Sequence, residues 1–201
     1  LKTIDKNQAR SLYENLLLQL NKKYGDSSFS LITTNYDLSF ETAILAIGEN
    51  DMKNLGISNI HYGFKQDSFF FISTYDSVET FKWDVGQLEY LKVHGSLDWN
   101  QDTEQRCVRS GSTTTPAYPD EMVILYPGAK GVPSNETFIS LHSRLLNRLL
   151  SADVVYVIGF AFRDEYINSI FDIALRQRTN LPIYYYNPIA LEQHPKESQA
   201  P

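Results

Sequence analysis

The chain has 201 residues, 42% of them hydrophobic and 21% charged, with a net charge of −6 and a pI near 5.2. That length and balance suit one globular domain with a sizeable core. The acidic surplus, with no run of Lys or Arg, argues against a direct nucleic-acid-binding face. No apolar run approaches the roughly 18–20 residues a membrane span requires, and no signal peptide opens the chain.

From Asp5 to about Tyr24, Leu12, Leu16, Leu17 and Leu20 fall on one helical face, and Gly25 supplies a stop. Phe29 to Thr34 is a short β-prone run that ends in the polar tip Asn35-Tyr36-Asp37, and Phe40 to Ile47 reads as a helix. From about Asn50 to Asp84 the pattern suggests a small irregular or β-rich insertion, with Phe69–Ile72 as a strand among turn-forming Gly, Asp and Ser residues. Leu88 to His94 alternates like a strand, with Leu91 and Val93 on one face, and ends at His94-Gly95-Ser96. The polar stretch 100–120 reads as a loop, Met122–Tyr126 as a short strand, and Pro127 to Gly131 as a turn.

Between Thr137 and Leu150, Leu141, Leu145, Leu146 and Leu149 form a helical stripe. Asp153 to Ile158 has the pattern of the clearest buried strand, closed by Gly159. Asp164 is placed to cap a helix running to about Arg178, with Ile167, Ile170, Phe171 and Ala174 inward. Ile183 to Tyr186 reads as a last strand ending at Asn187-Pro188, and the polar tail 191–201 is expected to fray. Helices alternating with single apolar strands predict an α/β fold, a parallel sheet flanked by helices, in one domain over residues 1–190.

In open α/β sheets, ligands bind beyond the carboxyl ends of the strands. Four predicted strands end in useful residues: Asn35 and Asp37, His94 and Gly95, Gly159, and Asn187. Such residues also end strands merely because they make turns. His94 is the sharpest candidate, because an imidazole can take and return a proton near neutral pH, and Gly95 beside it would let a substrate approach. Asn35 could orient a sugar hydroxyl or a water. Asp37 could accept from an amide, or simply cap the next helix. His61, His94, His142 and His194 lack a close ligand spacing, so no metal site is expected. Cys107 is the single cysteine, which leaves no internal disulfide and fits a reducing, cytoplasmic setting.

These residues resemble a known family. Thr33-Thr34-Asn35-Tyr36-Asp37 resembles the T-x-N-x-D motif of the sirtuins, and Lys92-Val93-His94-Gly95-Ser96 resembles their catalytic H-G segment. Ala152-Asp153 to Phe162 is similar to a later strand and turn, with Ala161 where that pattern has Ser, and Ile183–Asn187 is similar to the final strand. The spellings TTNYD, HGSLDW and GFAFRDEYI resemble the divergent prokaryotic sirtuin-like domains more than the protein deacetylases. The resemblance implies a Rossmann-like fold and NAD as substrate. It implies that Asn35 holds the ribose and an attacking water, that His94 acts as base on a ribose hydroxyl, and that Asp37 binds the nicotinamide carboxamide. Thr33, Thr34, Gly95, Gly159, Phe160 and Asn187 would line the rest of the nucleotide site.

The Gly-rich turn that opens such domains is not found in the sequence, so upstream sequence is expected to carry it. The paired cysteines of the deacetylase zinc ribbon are also missing, so no zinc is expected. The resemblance therefore favours an NAD glycohydrolase of bacterial antiphage defence, working as a homo-oligomer or with a fused or partner sensing domain. The competing readings are an NAD-dependent protein deacylase, a non-catalytic NAD or ADP-ribose sensor, and an α/β scaffold whose strand ends are only turns.

Overall fold

The computed structural model describes residues 5–25, 27–66, 73–75, 87–101, 107–109, 122–125 and 136–186. The chain divides into two compact units, residues 1–129 with 133–141, and residues 130–132 with 142–201.

The first unit opens with helix α1 (Lys6–Tyr24), capped by Asp5, whose carboxylate accepts from the backbone N–H of Asn7 at 2.8 Å and Gln8 at 3.3 Å. Its inward residues are Ala9 and Leu17, with Tyr13 between them, one turn apart each. Of the leucine stripe expected from the sequence, Leu17 is buried and Leu16 and Leu20 are half-buried, while Leu12 is 66% exposed. Aromatic packing adds to this face, where the Tyr13 ring meets Phe40 edge-on at 5.1 Å.

Strand β1 (Phe29–Thr33) leads through the polar tip into α2 (Ser39–Ile47), and α3 (Glu49–Asn54) follows, a short helix the sequence pattern did not suggest. Strands β2 (Asn59–His61), β3 (Phe64–Gln66), β4 (Ser73–Tyr75) and β5 (Gln87–Lys92) come next. A parallel sheet forms in the order β1-β5-β2. β5 lies between two parallel neighbours, and Leu88 to Lys92 are all buried, so both of its faces are covered rather than one. Phe40 is fully buried and stacks on Tyr90 with ring centroids 4.0 Å apart, pinning α2 to β5.

β6 (Gly95–Gln101), β7 (Cys107–Arg109) and β8 (Met122–Ile124) complete an antiparallel sheet in the order β3-β4-β7-β6-β8. This is the β-rich part of the fold, and it is larger than the sequence suggested. β6 begins directly after the turn at His94, and β7 lies inside the stretch read as a loop. The expected strand Phe69–Ile72, residue Tyr126, and residues 110–120 lie outside the described residues. Trp99, Cys107, Val123, Phe138 and Leu141 pack with Leu91 as the core here.

Burial pushes the Cys107 thiol from its ordinary 9.0 up to about 12, with the nearby Asp98 charge acting in the same direction and a hydrogen bond with Thr137 opposing them. The thiolate is the reactive form, so a thiol held protonated by burial reacts far more slowly than a free cysteine. Native protein is expected to stay unmodified by a colorimetric disulfide reagent at pH 8 and to react stoichiometrically in 6 M guanidinium, about the usual unfolding concentration. Rapid labelling of the native protein would contradict this burial.

Helix α4 (Glu136–Ser151) contributes Phe138 and Leu141 to that core, and its Leu145 and Leu149 are also buried. The second unit holds β9 (Val155–Ile158), α5 (Glu165–Gln177) and β10 (Ile183–Tyr186), with β9 and β10 paired in parallel. Arg178 donates from Nη1 to the carbonyls of Leu150 at 2.8 Å and Ala152 at 2.7 Å, satisfying acceptors at the end of α4. Asp164 caps α5, accepting from the Ile167 N–H at 2.9 Å, and Ile167, Ile170 and Ala174 face inward. β9 is not the deeply buried strand expected: Val157 is buried, but Tyr156 is 39% and Ile158 62% exposed. Tyr156 stacks on Tyr184 of β10 at 5.2 Å, so the apolar content of this pair goes partly into ring contacts at the surface.

Candidate functional site

The parallel register of β1 and β5 runs from Phe29 opposite Leu88 to Thr33 opposite Lys92. Asn35 and His94 each stand two residues beyond that last pair, so both lie at the carboxyl edge of the same sheet. Backbone bonds stitch the two tips together. The Val93 N–H donates to the Thr33 carbonyl, and the Leu97 N–H to the Tyr36 carbonyl, each at 3.0 Å. The Asn35 N–H donates to Thr33 Oγ1 at 3.0 Å, which folds the start of the tip back on the strand. Asn35 and Tyr36 are exposed, while Thr33, Thr34, Asp37 and His94 are half-buried. Asn35 and Tyr36 therefore reach solvent from a fixed backbone, whereas His94 Nε2 is covered.

Asp37 Oδ1 accepts from the Ser39 N–H at 2.8 Å and from the Ser39 hydroxyl, an Asx turn just ahead of α2, whose N-cap is Leu38 rather than Asp37. Its second oxygen keeps the capacity to accept from a ligand amide. Gly95 has φ +83°, and a Cβ built there would lie 2.0 Å from the Val123 carbonyl oxygen. The space that the sequence reading left for an approaching substrate is thus filled by the β8 backbone. The His94 carbonyl accepts from the Leu125 N–H at 2.9 Å, so β8 also holds the residue before the glycine.

Beneath the tips runs a buried polar chain. Lys92, 2% exposed, donates from Nζ to the Asp37 carbonyl, to Glu41 Oε1 at 3.1 Å and to Ser96 Oγ at 2.7 Å. The Ser96 hydroxyl donates to Asp98 Oδ1, and Arg109 Nε donates to Asp98 Oδ2 at 2.8 Å. The Arg109 guanidinium lies 3.8 Å from the centre of the Tyr62 ring. Burial pushes the Glu41 carboxyl up and the Lys92 ammonium down, and each charge opposes the shift of the other. Burial likewise raises the Tyr62 phenol to about 12, against the pull of Arg109.

In the second unit, Gly159 follows β9 directly, exposed, and its N–H donates to the Tyr186 carbonyl at 2.9 Å. Phe160 packs edge-on against Phe162 at 4.9 Å. Phe162 holds φ at +53°, its carbonyl bound by the Asn168 amide at 2.7 Å and its ring against Phe171. Asn187 lies outside the described residues. Among the described residues, no group of three or more His, Cys, Asp or Glu side chains could hold a metal ion, and no helix is long and apolar enough to cross a membrane.

A family model described as a SIR2-like domain matches residues 30–200, most of the chain. The chain belongs to the SIR2-like domain family. No curated protein was found to match it. SIR2-like domains use NAD, so the polar tips are to be read against that nucleotide.

In this SIR2-like domain the structure brings Asn35, Asp37, His94 and Gly95 to one sheet edge, while Gly159 and Phe160 belong to the end of β9. Sequence reasoning assigned no role to Lys92, Glu41, Ser96 or Asp98. A signal was present: each charged member stands among apolar neighbours, Glu41 between Phe40 and Ala43–Ile47, Lys92 between Leu91 and Val93, and Asp98 between Leu97 and Trp99. A charge so placed is almost never buried unless it has a partner.

Proposed function

We propose that the chain is an NAD glycohydrolase that cleaves the bond between nicotinamide and ribose. Water adds to C1′ of the ribose, the C1′–N bond breaks, and nicotinamide leaves with the bonding pair, so the cationic ring becomes neutral. ADP-ribose and one proton are the other products. The leaving group is already good, so the protein gains most by positioning water and sugar and by placing polar groups where charge changes.

In this reading Asn35 orients the ribose and the attacking water, His94 takes a proton from a ribose hydroxyl, and Asp37 accepts from the nicotinamide carboxamide. Thr33, Thr34 and Gly95 back the tips, and Gly159, Phe160 and Asn187 serve the rest of the nucleotide. What supports the reading most is the β1–β5 register, which leaves an imidazole and a carboxamide at equal distances past one sheet edge in a chain of a family that uses NAD. A cytoplasmic role in bacterial antiphage defence, with a sensing domain or further copies as partners, belongs to the same proposal and rests on the TTNYD, HGSLDW and GFAFRDEYI spellings.

The purified native protein, with any sequence upstream of residue 1, is expected to release nicotinamide and ADP-ribose from NAD in equal amounts, read by liquid chromatography. Formation of O-acetyl-ADP-ribose from an acetylated peptide would assign a deacylase instead. Thermal stabilisation by NAD with no turnover would assign a sensor.

A further inference from the structure

We propose that Lys92 is the positioning residue of this site, its buried ammonium clamping the Asn35–Asp37 tip to the turn that carries His94. The inference rests on the NAD-cleaving reading of those tips. An ammonium has three donors and no acceptor. Lys92 directs them to three separate pieces of the site: the backbone carbonyl of Asp37 in the tip, the Glu41 carboxylate in the first turn of α2, and the Ser96 hydroxyl two residues after His94. Ser96 can then give its own proton only onward, to Asp98, which Arg109 holds from the far side. Ser96 thus accepts from Lys92 and donates to Asp98, so the relay ties the tip and the turn together.

Burying these four charges is costly, and apolar residues of similar size would fill the space as well. What an apolar residue lacks is a grip on the Asp37 carbonyl. That carbonyl lies past the end of the β1–β5 ladder, where the strand pairing no longer sets its place. Lys92, the last β5 residue in the ladder, makes this grip from within the sheet.

The test removes both charges of the central pair, Lys92→Met together with Glu41→Gln, so that neither is left alone. The variant is expected to melt within a few degrees of the parent. Its kcat for NAD should fall at least about 10-fold, as misplacement by about an ångström can cost 10²-fold, with KM within about threefold. Amide exchange at Leu97, whose N–H holds the Tyr36 carbonyl, should rise at least about tenfold while the β5 amides keep their protection. A folded variant with parental kcat and parental Leu97 exchange overturns the proposal.

Ser96→Ala supplies a second, milder probe that leaves the Lys92–Glu41 pair intact. It is expected to lower kcat several-fold in the parent and to have no added effect in the double variant, because both act through one relay. If the double variant does not fold, parental kcat in folded Ser96→Ala overturns the proposal. A parent protein that leaves NAD intact overturns the functional reading itself, an outcome distinct from an active parent with an equally active variant.

Discussion

His94→Ala is expected to lower NAD cleavage by about 10² to 10⁴-fold, the range that positioned acid–base help contributes, without unfolding the protein. The second half of that statement follows from where the residue sits. His94 is bound into the structure through its carbonyl, which accepts from Leu125, and through the glycine after it, and neither depends on the imidazole. The residue is half-buried, with Nε2 covered, and belongs to neither hydrophobic core. Asn35→Ala should behave alike, since the exposed Asn35 is folded back through its main-chain N–H to Thr33 Oγ1. If the two side chains act on one reacting centre, the double substitution should cost scarcely more than the worse single one. Nicotinamide release from NAD, with the melting temperature as control, checks all three. Undiminished turnover in folded His94→Ala protein would sink the assignment.

The second large effect concerns stability. Gly95→Ala is expected to destabilise the first unit by about 2–5 kcal/mol, combining about 1–2 kcal/mol for a left-handed residue with about 1–3 for forcing atoms into filled space. The added methyl would stand 2.0 Å from the Val123 carbonyl oxygen and 3.0 Å from Ile124 Cα, both backbone atoms that cannot swing aside. Gly48 isolates the two contributions, because it has φ +80° with nothing within 4 Å of its would-be Cβ. Gly48→Ala should cost only the conformational part, about 1–3 kcal/mol for a backbone at φ +80° and ψ 162°. Urea titration should therefore show a larger fall in midpoint for Gly95→Ala than for Gly48→Ala, at similar slopes. Equal shifts would mean that β8 yields and that the close approach has no energetic weight.

The strand-end residues were legible because they interrupt local patterns. Asn35-Tyr36-Asp37 and His94-Gly95 are polar punctuation after apolar runs, and a parallel sheet brings such endings to one edge. The antiparallel sheet was hidden for the opposite reason. Asp98 in β6 looks like a surface residue until Arg109, eleven positions later, is placed beside it, and a local reading cannot supply that partner. The face of α1 was legible in Leu16, Leu17 and Leu20, but not Leu12, and the ring contact of Tyr13 with Phe40 lies outside a count of leucines. β9 was overrated on composition: Val155 to Ile158 is apolar throughout, yet only Val157 is deeply covered.

The register between β1 and β5 joins residues 59 positions apart, as in the bond from Ser30 Oγ to Glu89 Oε2 at 2.8 Å. A contact that distant is slow to form, because a long loop must close before any of its ladder is rewarded. Once closed, its cost depends only weakly on length, rising by about 0.6 kcal/mol for each doubling of the intervening loop. Evolution is thereby free to lengthen or rebuild the chain between β4 and β5 without moving one polar tip from the other. Variation among descendants of this sequence should accumulate in that interval first.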